Sequence, residues 1–390
     1  MRDAIWAAAF TRDIVAGERP TLFKRLGGTP GVSAHVAAGT SPLHYDLYVV
    51  PGRPPGAAVV VAHGFTHEGT ADPRLRELCR RLARAGFVVM APAFDEMRRY
   101  QLGLSDTAAL ELAVETIAAH PGVVPSRVCI AAFSFGAAPS LIALSREPLK
   151  SRVAAAMIFG GFFDLHRTLR YVLTGAYEAD GVPRQAVLPT AGDDRWKFLR
   201  ANVEVLPPSG SQPAFLAALD GLVRDAAQRV EPAGWSEPEQ AMFALFANRD
   251  PARFDGLYAA VAPHVDGWVR RLSPCEYAGD LTTPLLIVHS RTDPKTSYTE
   301  SVAMSRGVPH APPPHLAVLN TFSHVDLALN WRSLRAIATD VVPGLLMIWG
   351  IGRWLLRVAR HGGSQPVSRV SSRLGQGAPS APGGAGHGGR

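Results

Sequence analysis

The sequence predicts an α/β fold whose central sheet is mostly parallel, with helices on both faces, and three observations carry that expectation. Ala57 to Ala62 is an unbroken Val-rich run, the composition of a strand covered on both sides. Strand-like and helix-like segments then alternate through the middle of the chain, which implies β-α-β units. Finally, an apolar strand from Val128 to Phe133 runs straight into Ser134, and a helical segment carrying Leu141 and Leu144 follows.

His44 to Val50 reads as an antiparallel edge strand that stops at Pro51 and Gly52, and residues 1–40 are set apart as an N-terminal extension. Asp72 and Pro73 open a helix with Leu75, Leu78, Cys79 and Leu82 at helical spacing, and Gly86 ends it. Phe87 to Ala91 is the next strand, and Ser105 caps a second helix with Leu110, Val114 and Ile117 on one face. Ala154 to Phe159, Leu285 to Val288 and Leu316 to Leu319 supply further strands, with a helix at about Ser297 to Arg306 before the last. A simple crossover needs only about a dozen residues beyond its strands. The interval 164–280 far exceeds that, and helical periodicity in Phe215 to Val230 and Pro238 to Ala247 marks it as a largely helical cap insertion. The α/β core is thus expected over 41–163 and 281–340. A last helix, interrupted by Pro343, gives a C-terminal helical segment over 341–360. Residues 361–390, rich in Gly, Ser, Pro and Arg, read as a disordered basic tail.

With 47% hydrophobic and 19% charged residues among 390, the chain can bury a sizeable core. Its net charge of +7 suggests a nucleic-acid binder, but six arginines and no acid lie from Arg353 onward, leaving +1 for the rest. No basic stripe interleaved with aromatics appears, so nucleic acid is excluded as a partner. Three widely spaced cysteines, Cys79, Cys129 and Cys275, form neither a disulfide framework nor a zinc pattern, which makes a reducing cytoplasm the expected compartment. Cys129, inside an apolar run, reads as a small core residue. The short apolar run Ala4 to Phe10, between Asp3 and Asp13, does not read as a signal peptide. Nor does any uninterrupted apolar run reach the roughly 18 residues of a transmembrane helix. No metal or organic cofactor is implied.

The string Ala132-Phe-Ser134-Phe-Gly136 in its strand–turn–helix setting is what a nucleophile elbow requires. The serine sits in a strained turn, so the residues two before and two after it must be small. A serine hydroxyl needs a base to take its proton. Asp293 follows the strand Leu285 to Val288, and His324 follows the strand Leu316 to Leu319, 31 residues later. Both therefore leave neighbouring strands at the edge that carries Ser134, in the chain order Ser, Asp, His. Asp164, after the preceding strand, is the alternative acid, whereas Asp326 lies too close in sequence to His324. The strand Ala57 to Ala62 ends in His63-Gly64-Phe65, where a glycine lets the backbone turn so that an N–H faces a developing oxyanion. Phe65 and Phe135 are the candidate backbone donors, and His63 reads as a structural hydrogen-bonding residue.

On these motifs, His63-Gly-Phe65, Ala-Phe-Ser134-Phe-Gly, His-Ser-Arg-Thr-Asp293-Pro and Ser-His324, the chain resembles the α/β-hydrolase superfamily over about 57–330. It looks most like bacterial dienelactone-hydrolase-like or esterase members. The resemblance implies an acyl-enzyme on Ser134 and hydrolysis of a carboxylic ester from a small-molecule acyl substrate. Thioesterase, acyltransferase or peptidase chemistry on the same triad, or a non-catalytic binding member, are the alternatives. Ala132 and Ser290 stand where the superfamily commonly has glycine. A dehalogenase or epoxide hydrolase would carry Asp at position 134, and a dienelactone hydrolase proper would carry Cys. Phe162, Phe163, Tyr171, Tyr177 and Trp196 either line an apolar acyl site or form the insertion's own core. Arg353, Arg357 and Arg360 share a helical face, which allows peripheral contact with the inner membrane face through 341–360. Packing of that helix on the sheet is the favoured alternative.

Overall fold

The computed structural model describes residues 2–17, 19–188, 194–308, 314–320, 322–323, 326–327 and 341–361. Helices α1 (Arg2–Ala16) and α2 (Leu22–Leu26) precede strands β1 (Gly31–Ala37), β2 (Leu43–Val49) and β3 (Gly56–Ala62). Then come α3 (Pro73–Ala85), β4 (Val88–Pro92), α4 (Asp95–Arg98), α5 (Ser105–Ala118), β5 (Val123–Phe133), α6 (Ala137–Leu144), α7 (Leu149–Arg152) and β6 (Val153–Phe159). After β6 the chain forms α8 (Leu165–Thr174), the hairpin β7 (Ala176–Ala179) and β8 (Val182–Gln185), α9 (Arg195–Ala201), α10 (Gln212–Arg224), α11 (Glu237–Ala247) and α12 (Pro251–Arg271). It returns to the sheet with β9 (Leu285–Ser290), α13 (Tyr298–Gly307) and β10 (His315–Leu319), and closes with α14 (Val342–His361).

Eight strands form one sheet in the order β1-β2-β4-β3-β5-β6-β9-β10. Only β2 breaks the parallel run, pairing antiparallel with both β1 and β4. Pairing of Ala62 with Ala132, Phe133 with Phe159, Phe159 with Val288, and Ser290 with Leu319 aligns the C-terminal ends of the central strands. The loops leaving those ends therefore open on one edge. This register follows from burial: β3, β4 and β9 are almost entirely covered, so a slip would break packing on both faces.

One face of the sheet packs α5, α6 and the helices after β6, and the other packs α1, α3 and α14. Asp72 accepts the Arg74 N–H at 2.9 Å to cap α3, Pro73 fills the first position, and Gly86 closes it at φ +112°. Ser105 opens α5 as its first residue, after Leu104, rather than capping it.

Several elements differ from the sequence reading. β1 lies within the stretch set apart as an extension and is the outermost strand, so β2 is one place in from the edge. Its side chains are exposed from Gly31 to Val36, which leaves no alternating pattern to read. α10 starts earlier and stops at Arg224, short of Val230, and α12 runs for 21 residues straight through Pro263. Pro343 is the second residue of α14, and the stretch before Val341, where the sequence reading starts that helix, lies outside the described residues. Val341, Ile348 and Trp354 are buried, and the Trp349 indole N–H donates to the Ala4 carbonyl at 3.1 Å, which packs α14 on α1. No described helix is long and apolar enough to cross a membrane.

Candidate active site

β5 delivers the chain to Ser134 in extended conformation, and Ser134 then adopts φ +53°, in the left-handed region. A non-glycine residue there is strained, and such strain persists only where the surroundings over-determine it. Three glycines do so here. A Cβ on Gly64 would lie 2.7 Å from the Ser134 Cβ and 3.2 Å from its Oγ, so the backbone after β3 rests directly on the serine. On Gly136 a Cβ would collide with the His63 carbonyl, and on Gly161 with the Ala137 Cβ. Ala132, fully buried between Ala62 and Ile158, fills the small-residue position without glycine.

His63 is structural in this geometry. The Phe94 N–H donates to its Nε2 at 3.4 Å, which leaves the proton of the neutral ring on Nδ1, donating to the Gly64 carbonyl at 2.8 Å. Burial pushes its pKa below the ordinary histidine value. The ring thereby ties the end of β3 to the loop after β4. The Phe65 ring stacks on Phe135 at 4.4 Å and on Tyr100 at 5.1 Å, and Phe162 and Phe198 approach Phe135 at 5.2 and 6.4 Å. The two candidate oxyanion residues thus touch ring to ring, under side chains from β6's loop and α9.

Asp293 lies three residues beyond β9 and is 1% exposed. Its Oδ1 accepts the Lys295 and Thr296 N–H groups at 2.8 and 3.0 Å. The Nε2 of fully buried His289 lies 3.4 Å from its Oδ2 and also donates to the Thr296 carbonyl at 2.9 Å. The Ser301 hydroxyl donates to His289 Nδ1 at 2.6 Å. Tyr171 donates its phenol to the Asp293 carbonyl at 2.6 Å, which anchors α8 to this loop.

Asp164, by contrast, caps α8 by accepting the Arg167 N–H at 3.0 Å and pairs with the Arg167 guanidinium at 3.2 Å. Buried Glu300 holds the same turn from below. Its Oε2 accepts the Phe163 and Asp164 N–H groups at 3.0 and 2.7 Å, and Arg167 lies 2.7 Å from its Oε1. His324 lies outside the described residues. β9 and β10 are adjacent and parallel, so the chain leaves β10 at the same edge as Asp293.

The aromatics left open by the sequence divide. Trp196 stacks on Phe243 at 5.5 Å, and Phe215, Trp235 and Phe243 complete a core inside the helical region after β6. Phe162 belongs with Phe135 at the serine. Sequence reasoning assigned no role to His289, Glu300, Tyr100 or Asn202. Of these only His289, four residues before Asp293, stands inside a motif. Burial pushes the Cys129 thiol up to about 12, which leaves it protonated and inert. Among the described residues, no three His, Cys, Asp or Glu side chains are placed to share a metal ion.

No protein-family model matches the chain, and no curated protein matches its sequence. Solved structures do. The acylaminoacyl peptidase of Pyrococcus horikoshii superposes with a TM-score of 0.51 at 12% identity, over 89% of this chain and 44% of that one. A protein assigned as a dipeptidyl aminopeptidase IV from Bacteroides ovatus gives 0.50 at 12%, over 84% of this chain and 36% of its own. The chain therefore spans less than half the length of these structures, and at such identity the likeness concerns the fold. With the strand order and the turn at Ser134, it shows that the chain has the α/β-hydrolase fold.

Proposed function

We propose that the chain is a serine hydrolase that cleaves a carboxylic ester through an acyl-enzyme on Ser134. The observation that carries this reading is Ser134 at φ +53°, lifted by a strand-to-helix turn and crowded by Gly64. In the mechanism, His324 takes the proton as Ser134 Oγ bonds to the acyl carbon. The negative charge on the carbonyl oxygen faces the Phe65 and Phe135 N–H groups. Collapse breaks the bond to the alcohol, which leaves with the proton from His324. Water, deprotonated by the same base, then attacks the acyl carbon, and the bond to Ser134 Oγ breaks as Oγ takes that proton back from His324, releasing the carboxylic acid. Asp293 orients His324 and stabilises its charged form. Each oxyanion donor would supply about 3–4 kcal/mol.

The rings of Phe65, Phe135, Phe162 and Phe198 around the turn favour an apolar acyl group over a charged one. A fluorophosphonate probe tests the reading. Wild-type protein should be labelled on Ser134, and Ser134→Ala should not be. A folded wild type that resists the probe would point instead to a binding protein that keeps the fold. Comparing p-nitrophenyl esters with acyl-CoA thioesters and peptide amides then separates the ester reading from the thioesterase and peptidase ones.

A further inference from the structure

Among the described residues Ser134, Asp180 and Tyr100 are the non-glycine residues in the left-handed region, Tyr100 at φ +61°, and its ring lies against that of Phe65. It follows α4 in the loop after β4, is 9% exposed, and stacks on Phe65 at 5.1 Å with an interplanar angle of 22°. Part of the hold is local: the Tyr100 N–H donates to the Met97 carbonyl at 3.3 Å and the Gln101 N–H to the Glu96 carbonyl at 2.9 Å, the paired bonds that close a helix with a left-handed residue. The rest comes from a hundred residues away. Asn202, at the end of α9 and buried, donates its side-chain N–H to the Tyr100 carbonyl at 2.9 Å and accepts the Leu102 N–H at 2.8 Å. Its second side-chain N–H donates to the Phe198 carbonyl at 2.7 Å, inside its own helix. Trp268 of α12 closes the clamp by donating its indole N–H to the Leu102 carbonyl at 3.1 Å. On the open side the Tyr100 ring meets His67 at 4.7 Å and the Lys197 ammonium at 5.5 Å. Lys197 is itself paired with Asp194 at 3.0 Å.

We propose that Asn202 and Tyr100 are positioning residues: Asn202 pins the Tyr100–Leu102 backbone so that the Tyr100 ring presses Phe65 onto Phe135 and sets the aim of the oxyanion turn. The inference rests on the acyl-transfer reading of Ser134. Its physical logic is that the helix-closing bonds of α4 set the left-handed turn, whereas the buried, satisfied amide of Asn202 fixes where the Tyr100 carbonyl and the Leu102 N–H lie. The ring then acts as a wedge behind a backbone N–H whose placement matters to within about an ångström. It also links the helices after β6 to the chemistry, because Asn202 and Trp268 both come from that region.

Three variants test it, each read by kcat and KM on a p-nitrophenyl ester, thermal melting, and amide hydrogen exchange at Phe65 and Leu102. Asn202→Ala should lower kcat roughly 10- to 100-fold with KM little changed. The Phe65 and Leu102 amides should exchange faster. Tyr100→Phe keeps the ring and should behave as wild type. Tyr100→Asn relieves the strain, since asparagine tolerates the left-handed region, but removes the ring. It should fold, melt lower because a buried ring is lost, and lose kcat with KM little changed. Wild-type kcat and Phe65 exchange in Asn202→Ala, or full kcat in Tyr100→Asn, overturns the proposal. If Asn202→Ala does not fold, Tyr100→Asn decides alone. A wild type unlabelled by fluorophosphonate would sink the hydrolase reading, and Phe65 exchange in the variants would still confirm or overturn the clamp.

Discussion

Asp164 and Asp293 follow adjacent parallel strands, β6 and β9, at the same edge of the sheet, yet their carboxylates have different surroundings. Asp164 works locally, as a helix cap paired with an arginine that is half exposed. Asp293 is buried, its Oδ1 is held by two backbone N–H groups, and a buried histidine and a tyrosine phenol fix its loop. A carboxylate that must orient a base gains from being immobile and shielded, whereas a cap gains nothing from shielding. Residue type and distance from the strand end do not separate the two. Their hydrogen-bond partners do.

The contrast can be broken most sharply at Asp293. Asp293→Asn should cut kcat by about four orders of magnitude while the protein stays folded. Asp164→Asn should leave kcat within about twofold, and the opposite ranking in steady-state assays would reassign the acid. A smaller effect is expected beneath Asp164. Glu300→Ala strips the acceptor from the buried Phe163 N–H, at a cost of about 1–3 kcal/mol, and from the part-buried Asp164 N–H, and should lower the urea midpoint without changing the pH profile of kcat. Loss of the cap in Asp164→Ala should cost about 1 kcal/mol, visible as a modest drop in melting temperature.

The smallest effect concerns His63. Its folded pKa lies below the ordinary value of 6.5, so the unfolded chain binds the proton more readily. This contribution to stability is present above about 6.5 and is lost as pH falls through the folded value. His63→Gln should flatten that acid-side decline in a series of melts, and an unchanged slope would remove His63 as its source.

How much of this was legible depended on where the determining contacts lie. β3, β5 and the turn at Ser134 could be read because an apolar run, small residues and a helix start are all local. The capped start of α3 at Asp72 and Pro73 was local too. β1 was missed because exposure on both faces leaves no period in Gly31–Ala37. α12 was missed because Pro263 argues against a helix that tertiary packing of Phe254, Val261 and Val265 sustains. Asn202, Glu300 and Trp268 look like unremarkable polar or aromatic residues in sequence. Their roles arise through partners a hundred or more positions away.

The sheet order has a consequence for how the chain is made. β6 pairs with β5 on one side and with β9 on the other, and about 125 residues separate Phe159 from Leu285. At about 5–20 residues per second, a ribosome takes roughly 6 to 25 s to cover that interval. Throughout it, the Val153–Phe159 edge, wholly apolar, has no strand to pair with. The helices built in the meantime pack against the same face of the sheet and include the α9 that presses on Phe135. During synthesis they cover the adjoining apolar face while that edge waits for β9, so substitutions that unfold the α8–α12 region should raise aggregation of the newly made chain.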